Sequence, residues 1–396
     1  MKILHLHIGT HKTATTSLQV FCQENESVLE KNGYCYPLMP FGYPGISEAR
    51  NGHFLIGKIL DEKGEVSQKN EEKMFREGMK QVNKLFQKCD HVVLSDEGIW
   101  LGMDYNRTSL WETLQEESEK RGFKIHVIVY LKRQDKYLQS VWNQRIKAKR
   151  RIQETFEEFV KTIQVPLWLN YYQKLKRMAE IIGKENITVR RFEPNRFIGG
   201  SIYADFLEGI GLSLTDEYQI SAGVRNEGLY GNTLEIKRVL NGVSLIKDND
   251  VQEFMKQSLE ACSKISAMNY PSTLLSGDET KEFLDHYRME NRKVAQEFLH
   301  EQGTELFDET IEDLPQWEKD NPCMTDDVIR FFGTVGMDLF LRQKEMEQRI
   351  KTLEQKLKVQ ERKTSNIIQN LHYLKHPFQA IRRFINNRKT GKNRKL

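Results

Sequence analysis

Cysteine is sparse in this chain: five in 396 residues, at positions 22, 35, 89, 262 and 323. No two form a CxxC pair and their number is odd, which argues against a zinc ribbon and a disulfide framework. The expectation is buried, reduced thiols. Long apolar runs are missing as well. No stretch approaches the ~18 apolar residues of a membrane-spanning helix, and no leader precedes the first strand signal, so a cytoplasmic protein is expected. Positive charge is scarce outside one region. The formal net charge is +4, yet seven of the last fifteen residues are basic and none is acidic, so the rest of the chain is slightly negative. This argues against a fold built on a basic stripe for duplex nucleic acid, and no nucleic-acid partner is expected. What is present is 38% apolar residues, enough for a sizeable core, in a length that suits one large or two moderate domains.

The chemistry gathers near the start of the chain. Lys2-Ile3-Leu4-His5-Leu6-His7-Ile8 alternates polar and apolar residues and predicts a strand. Gly9 ends it. Gly9-Thr10-His11-Lys12-Thr13-Ala14-Thr15-Thr16-Ser17 is short, hydroxyl-rich and carries one lysine. From Ser17 onward, Leu18, Phe21, Cys22, Val28 and Leu29 mark an apolar helix face. A strand, a small-residue loop and a helix aim free backbone N–H groups and a positive helix end at an anion. The nucleotide-hydrolase pattern GxxxxGK[ST] is absent here, because Lys12 comes early and threonines follow it.

Two further strand ends carry polar residues. His91-Val92-Val93-Leu94 reads as a buried strand and runs into Ser95-Asp96-Glu97-Gly98. In an open parallel sheet, ligand chemistry collects at such carboxyl ends. The strand Lys124–Leu131 leads to Lys132-Arg133, with Ser140 seven residues beyond Arg133, about two helical turns. Arg133 has the geometry to clamp a phosphate bidentately, and Ser140 adds a hydroxyl donor.

Together, GTHKTATTSLQ and the Arg133…Ser140 pair resemble the 5′-phosphosulfate loop and 3′-phosphate motif of sulfotransferases that use 3′-phosphoadenosine 5′-phosphosulfate (PAPS). The likeness is to the bacterial carbohydrate-type branch, which favours Gly where this chain has Ala14. The segment RRFEP…GGSIYADFLEGIGL and the string YRMENRKVAQEFL extend it over roughly residues 1–310. The resemblance implies sulfuryl transfer from PAPS to a hydroxyl of a carbohydrate or glycolipid, with PAP as product and no metal required. It assigns Gly9, Thr10, His11, Lys12, Thr13, Ala14, Thr15, Thr16 and Ser17 to the 5′-phosphate, and Arg133 and Ser140 to the 3′-phosphate. Lys12 would steady charge on the bridging oxygen. Glu97, or else Asp96 or His53, would take the acceptor proton, and Asn226 would lie near the nucleotide. Two other classes stay open: a nucleotide kinase or hydrolase on a related fold, and a non-catalytic scaffold in polysaccharide assembly.

Composition changes beyond residue 335. Leu339, Met346, Ile350, Leu353, Leu357, Ile367, Leu371 and Leu374 follow a heptad spacing, with Gln343, Gln360 and Thr364 at the remaining seam positions. This predicts a coiled coil over 336–376, or else one long helix packed on the body, with a homo-oligomer as the partner the seam implies. In 377–396, Phe378, Ile381, Phe384 and Ile385 share one face beside Arg382, Arg383 and Arg388. Such a basic amphipathic end suits the anionic inner face of a membrane, and disorder is the competing reading. The expected fold class is α/β: a P-loop-like parallel sheet flanked by helices (residues 1–335), with a C-terminal helical coiled-coil extension.

Overall fold

The computed structural model describes residues 1–43, 45–58, 67–105, 107–148, 150–162, 169–221, 228–243, 248–375 and 377–389. Five strands form one parallel sheet in the order β2-β3-β1-β4-β5. They are β1 (Ile3–His7), β2 (Tyr34–Cys35), β3 (His91–Ser95), β4 (Lys124–Leu131) and β5 (Ile187–Arg191). Parallel neighbours need crossovers. These hold α1 (Thr15–Glu24), α2 (Glu26–Lys31), α3 (Gln68–Leu85), α4 (Gly98–Tyr105), α5 (Leu110–Arg121) and α6 (Gln134–Lys147). The chain leaves β1 toward one edge of the sheet and leaves β4 toward the other. The carboxyl ends of β1 and β4 therefore form the switch point at which open sheets bind ligands.

The sheet is buried on both faces. Leu4, Leu6 and Ile8 join Val92, Leu94, Val127 and Val129 in a core with Met79 and Val82 of α3 and Leu114 of α5. Val93, Ile128 and Tyr130 face the opposite core, with Leu18 and Phe21 of α1 and Phe206 and Leu207. The α/β class expected from the sequence is the fold observed.

The polar side of β1 lies inside that second layer. His5 shares hydrogen bonds with His126 and with His91, each at 2.9 Å, and His126 meets Thr188 at 2.9 Å. His7 bonds Ser95 at 2.9 Å. Burial holds these rings neutral: it is the main cause that lowers His5 to about 2, His7 to about 4 and His126 to about 4. The unfolded chain takes up protons near the ordinary value of 6.5, whereas the folded chain resists until far lower pH. Stability is therefore complete above pH 6.5 and drains away as pH falls. Going from pH 7.5 to 5.5 should cost roughly 1.4 kcal/mol per buried histidine. Urea midpoints at the two pH values test this. The pair His5→Leu and His126→Leu should flatten the slope, since two of the buried rings go while His7 and His11 still resist protonation; an unchanged slope would refute the account.

Two sequence expectations change. Cys35 and Cys89 form a disulfide, with Cα atoms 6.2 Å apart. The reason is topological: β2 pairs with β3, so Tyr34 lies opposite His91 and the turn before β3 is brought beside Cys35. Cys22, Cys262 and Cys323 remain free thiols. Asn51-Gly52-His53 followed by Phe54-Leu55-Ile56 predicts a helix opened by His53, whereas among the described residues only the short turn His53–Leu55 forms. Gly57 N–H closes it by bonding the carbonyl of His53 at 2.6 Å.

Two compact units divide at Asp327, Met1–Asp327 and Val328–Leu396. The helix Met324–Lys375 runs 52 residues, and Pro377–Lys389 forms another. Leu339, Met346, Ile350, Leu353, Leu357, Ile367, Leu371 and Leu374 are exposed along the long helix. Among the described residues, no helix is long and apolar enough to cross a membrane.

Candidate active site

The loop after β1 is fixed by β4. Thr10 N–H bonds the carbonyl of Tyr130 at 2.8 Å, and Tyr130 N–H returns a bond to the carbonyl of Gly9 at 2.8 Å. Gly9 has φ +90°, and a Cβ there would meet Cβ of Glu97 at 2.8 Å, so the glycine lets the loop lie against the end of β3. Lys12 and Ala14 take left-handed φ values of 66° and 58°. Ala14 thus adopts the backbone that its glycine counterpart would favour, at some strain. Ala14 is also the N-cap of α1, and its side chain caps nothing.

These dihedrals leave the backbone N–H groups from His11 to Ser17 without a partner among the described residues. Alternating φ signs followed by a helix start make a concave nest of donors. The hydroxyls divide into two sets. Thr10 donates to the carbonyl of Tyr130 at 3.1 Å, and Thr13 and Thr15 donate to the carbonyl of Thr10 at 2.6 and 3.5 Å. Those three tie the loop together. Thr16 is exposed and Ser17 half-buried, so their hydroxyls remain available to an anion.

Asp96 and Glu97 differ sharply. Asp96 is fully buried and accepts from Arg50 Nε and Nη2 at 3.1 and 2.7 Å, from His53 Nδ1 at 2.9 Å and from Gly98 N–H at 2.6 Å. Burial pushes its pKa up, but the His53 hydrogen bond and the Arg50 guanidinium outweigh that and hold it below the usual carboxylate range. A carboxylate so saturated orients its neighbours and has no lone pair left for an incoming proton. Glu97 is less encumbered: Gln19 donates to it at 3.1 Å and Arg50 Nη1 lies 3.3 Å away. His53 uses Nδ1 on Asp96, which leaves Nε2 as its other functional atom. Arg50 and Gln19 were missed by the sequence reading. Arg50 stands just ahead of Asn51-Gly52-His53, and that adjacency is the signal that was available.

Just past the end of β4, Lys132 and Arg133, the N-cap of α6, take different partners. Arg133 grips Asp135 with Nε at 2.8 Å and Nη2 at 2.9 Å, and donates from Nη1 to the carbonyls of Asp308 and Thr310 at 2.7 and 2.9 Å. Its fork is occupied by the protein itself. Lys132 Nζ instead donates to Ser140 Oγ at 2.8 Å. Burial, with Lys12 and Lys136 nearby, lowers the pKa of Lys132 to about 8. Lys12 is lowered too, by burial first and then by Lys147, while Glu97 pulls it back up. The loop and Lys132 therefore share one electrostatic field. A cavity of about 470 Å³ opens beside Lys132, Lys136, Ser140 and Asn143 and carries Tyr230 and Trp317.

The structure thus brings Lys12, His11, Glu97, Asp96 and His53 together at the ends of β1 and β3, and Lys132 and Ser140 at the end of β4. Arg133 is turned into a clamp on the 308–310 segment. Asn226 lies outside the described residues. Among the described residues, no group of three or more His, Cys, Asp or Glu is placed to hold a metal ion.

No protein-family model matches the chain. An uncharacterized protein of Archaeoglobus fulgidus is 26% identical over 175 residues, which is 44% of this chain and 45% of that protein. The chain thus matches less than half the length of that curated relative. Among solved structures, the sulfotransferase from Alicyclobacillus acidocaldarius is 13% identical with a TM-score of 0.35, over 63% of this chain and 98% of the other.

Proposed function

We propose that this chain transfers a sulfuryl group from PAPS to a hydroxyl of a carbohydrate or glycolipid. The observation that carries the reading is the run of unpartnered N–H groups from His11 to Ser17, set beside the Lys132–Ser140 pair on the neighbouring strand end. Two anion sites on adjacent strands suit a carrier with a phosphate at each end. The nest, with the Thr16 and Ser17 hydroxyls, fits the 5′-phosphate. Lys132 fits the 3′-phosphate, its ammonium held by Ser140, whose hydroxyl donates to the carbonyl of Lys136 at 2.7 Å. The aromatic rings of Tyr230 and Trp317 in the adjoining cavity suit stacking on a purine.

In the transfer itself, Glu97 takes the proton of the accepting hydroxyl as its oxygen bonds to sulfur. The sulfur–oxygen bond to the 5′-phosphate breaks, and Lys12 steadies the charge that collects on that oxygen. Asp96, Arg50 and His53 hold the acidic corner rigid. Catalysis here is positioning and electrostatics, by analogy with phosphoryl transfer. The exposed apolar seam of Met324–Lys375 suits pairing with a second copy, and a concentration-independent monomer in sedimentation would remove that partner.

Thermal shift tests the donor reading. PAP without magnesium should raise the melting temperature, and ATP with magnesium should do so far less. A larger shift from ATP and magnesium would favour the kinase reading instead, and no shift from either the scaffold.

A further inference from the structure

Of several covered polar atoms that lack a partner among the described residues, two face one cavity near the transfer site. His11 Nδ1 and Tyr137 Oη are shielded from solvent, and neither meets a hydrogen-bond partner among the described residues. A buried donor or acceptor left unmade costs roughly 1–3 kcal/mol, so native proteins seldom tolerate two together. Both residues line the same half-open cavity of about 320 Å³, whose walls combine Leu101, Val141 and Ile152 with Gln144, Arg145 and Arg150. That volume falls near the lower end of small-molecule sites.

Its position follows from α6. Lys136, Ser140 and Asn143 form one helical stripe and line the cavity beside Lys132. Tyr137, Val141, Gln144 and Ala148 form the next stripe and line this second cavity. His11 stands at its edge, within electrostatic reach of Glu97 and Lys12. Burial holds His11 below its ordinary pKa, so the ring is neutral and one nitrogen is free to accept. The combination is two unpartnered hydrogen-bond groups next to the reacting groups, in a slot with apolar walls and further polar side chains from Gln144, Arg145 and Arg150. A pyranose, which offers an apolar C–H face and ring hydroxyls, matches it.

We infer that this cavity is the acceptor site, and that it holds the sugar ring carrying the accepting hydroxyl through His11 Nδ1 and Tyr137 Oη. The inference rests on the sulfuryl-transfer reading for the identity of the reaction, and not for the binding itself. It assigns the His11 side chain to acceptor recognition, while the His11 backbone N–H stays in the phosphate nest.

The test uses the full chain and a panel of methyl pyranosides, read by saturation-transfer NMR with and without PAP. At least one pyranoside should bind. Tyr137→Phe should weaken that binding roughly tenfold, the scale of one lost hydrogen bond, and leave PAP affinity within twofold. The melting temperature of Tyr137→Phe should hold or rise, because an unpaired buried hydroxyl is removed; a hydroxyl with a structural role would lower it. His11→Leu should weaken the pyranoside similarly, and His11→Asn should restore part of the loss. If no pyranoside binds, or Tyr137→Phe and His11→Leu bind it as the native chain does, the acceptor assignment is wrong. Failure of PAP to bind would sink the donor reading while the pyranoside result still decides the cavity.

Discussion

Lys12→Ala is expected to lower kcat for sulfuryl transfer by about 10²–10³-fold, the scale of losing one preorganised electrostatic partner of a developing oxyanion. PAP affinity should stay within about threefold, because the unpartnered N–H groups that hold the 5′-phosphate belong to the backbone and survive the change. The variant is a clean probe for a conformational reason. Position 12 has a left-handed φ of 66°, and alanine keeps the same Cβ that lysine has there. The loop therefore faces no new backbone cost. The measurement is kcat from steady-state product formation beside a Kd for PAP by calorimetry. Equal losses in both would make Lys12 a binding residue and remove its place in the transfer step.

Most of the frame was legible because periodicity reports burial. The run from Lys124 to Leu131 could only be a strand, and the Gly9–Ser17 loop could only follow one. What stayed hidden depends on which neighbours strands acquire. Cys35 and Cys89 are 54 residues apart and unremarkable in sequence, yet the β2–β3 pairing sets them side by side. Asp96 and Glu97 are adjacent and chemically alike, and the sequence could not rank them beyond a preference for Glu97. Arg50 and His53, arriving from a distant loop, saturate Asp96 and leave Glu97 the freer group. The same holds for the histidines of β1. Their alternation suggested a polar face, but His126 and Thr188 on neighbouring strands are what make a buried polar chain tolerable.

The largest stability effect should come from Arg133→Ala, and it separates Arg133 from Lys132. The sequence pairs Ser140 with Arg133, whereas the folded chain pairs it with Lys132. Removing Arg133 leaves the carboxylate of Asp135, 1% exposed, without its bidentate partner, and frees the carbonyls of Asp308 and Thr310. Breaking a buried pair from one side costs about 3–5 kcal/mol, so the urea midpoint should fall steeply. Where that variant is still folded, PAP should bind within a few-fold of the native chain. Lys132→Ala should show the opposite pattern. Its stability loss should be small, since a desolvated cation is removed, while PAP affinity drops by about 10–100-fold and adenosine 5′-phosphosulfate loses far less. Proton linkage sharpens the contrast. Lys132 must be protonated to hold an anion, and burial with Lys12 and Lys136 nearby has brought its pKa down to about 8. Native PAP affinity should therefore fall as pH rises through 8, well before an ordinary lysine would deprotonate. Lys132→Arg should hold its affinity to higher pH, because guanidinium stays charged throughout. If Arg133→Ala costs more PAP affinity than Lys132→Ala, or if the pH dependence survives in Lys132→Arg, the 3′-phosphate belongs to Arg133 after all.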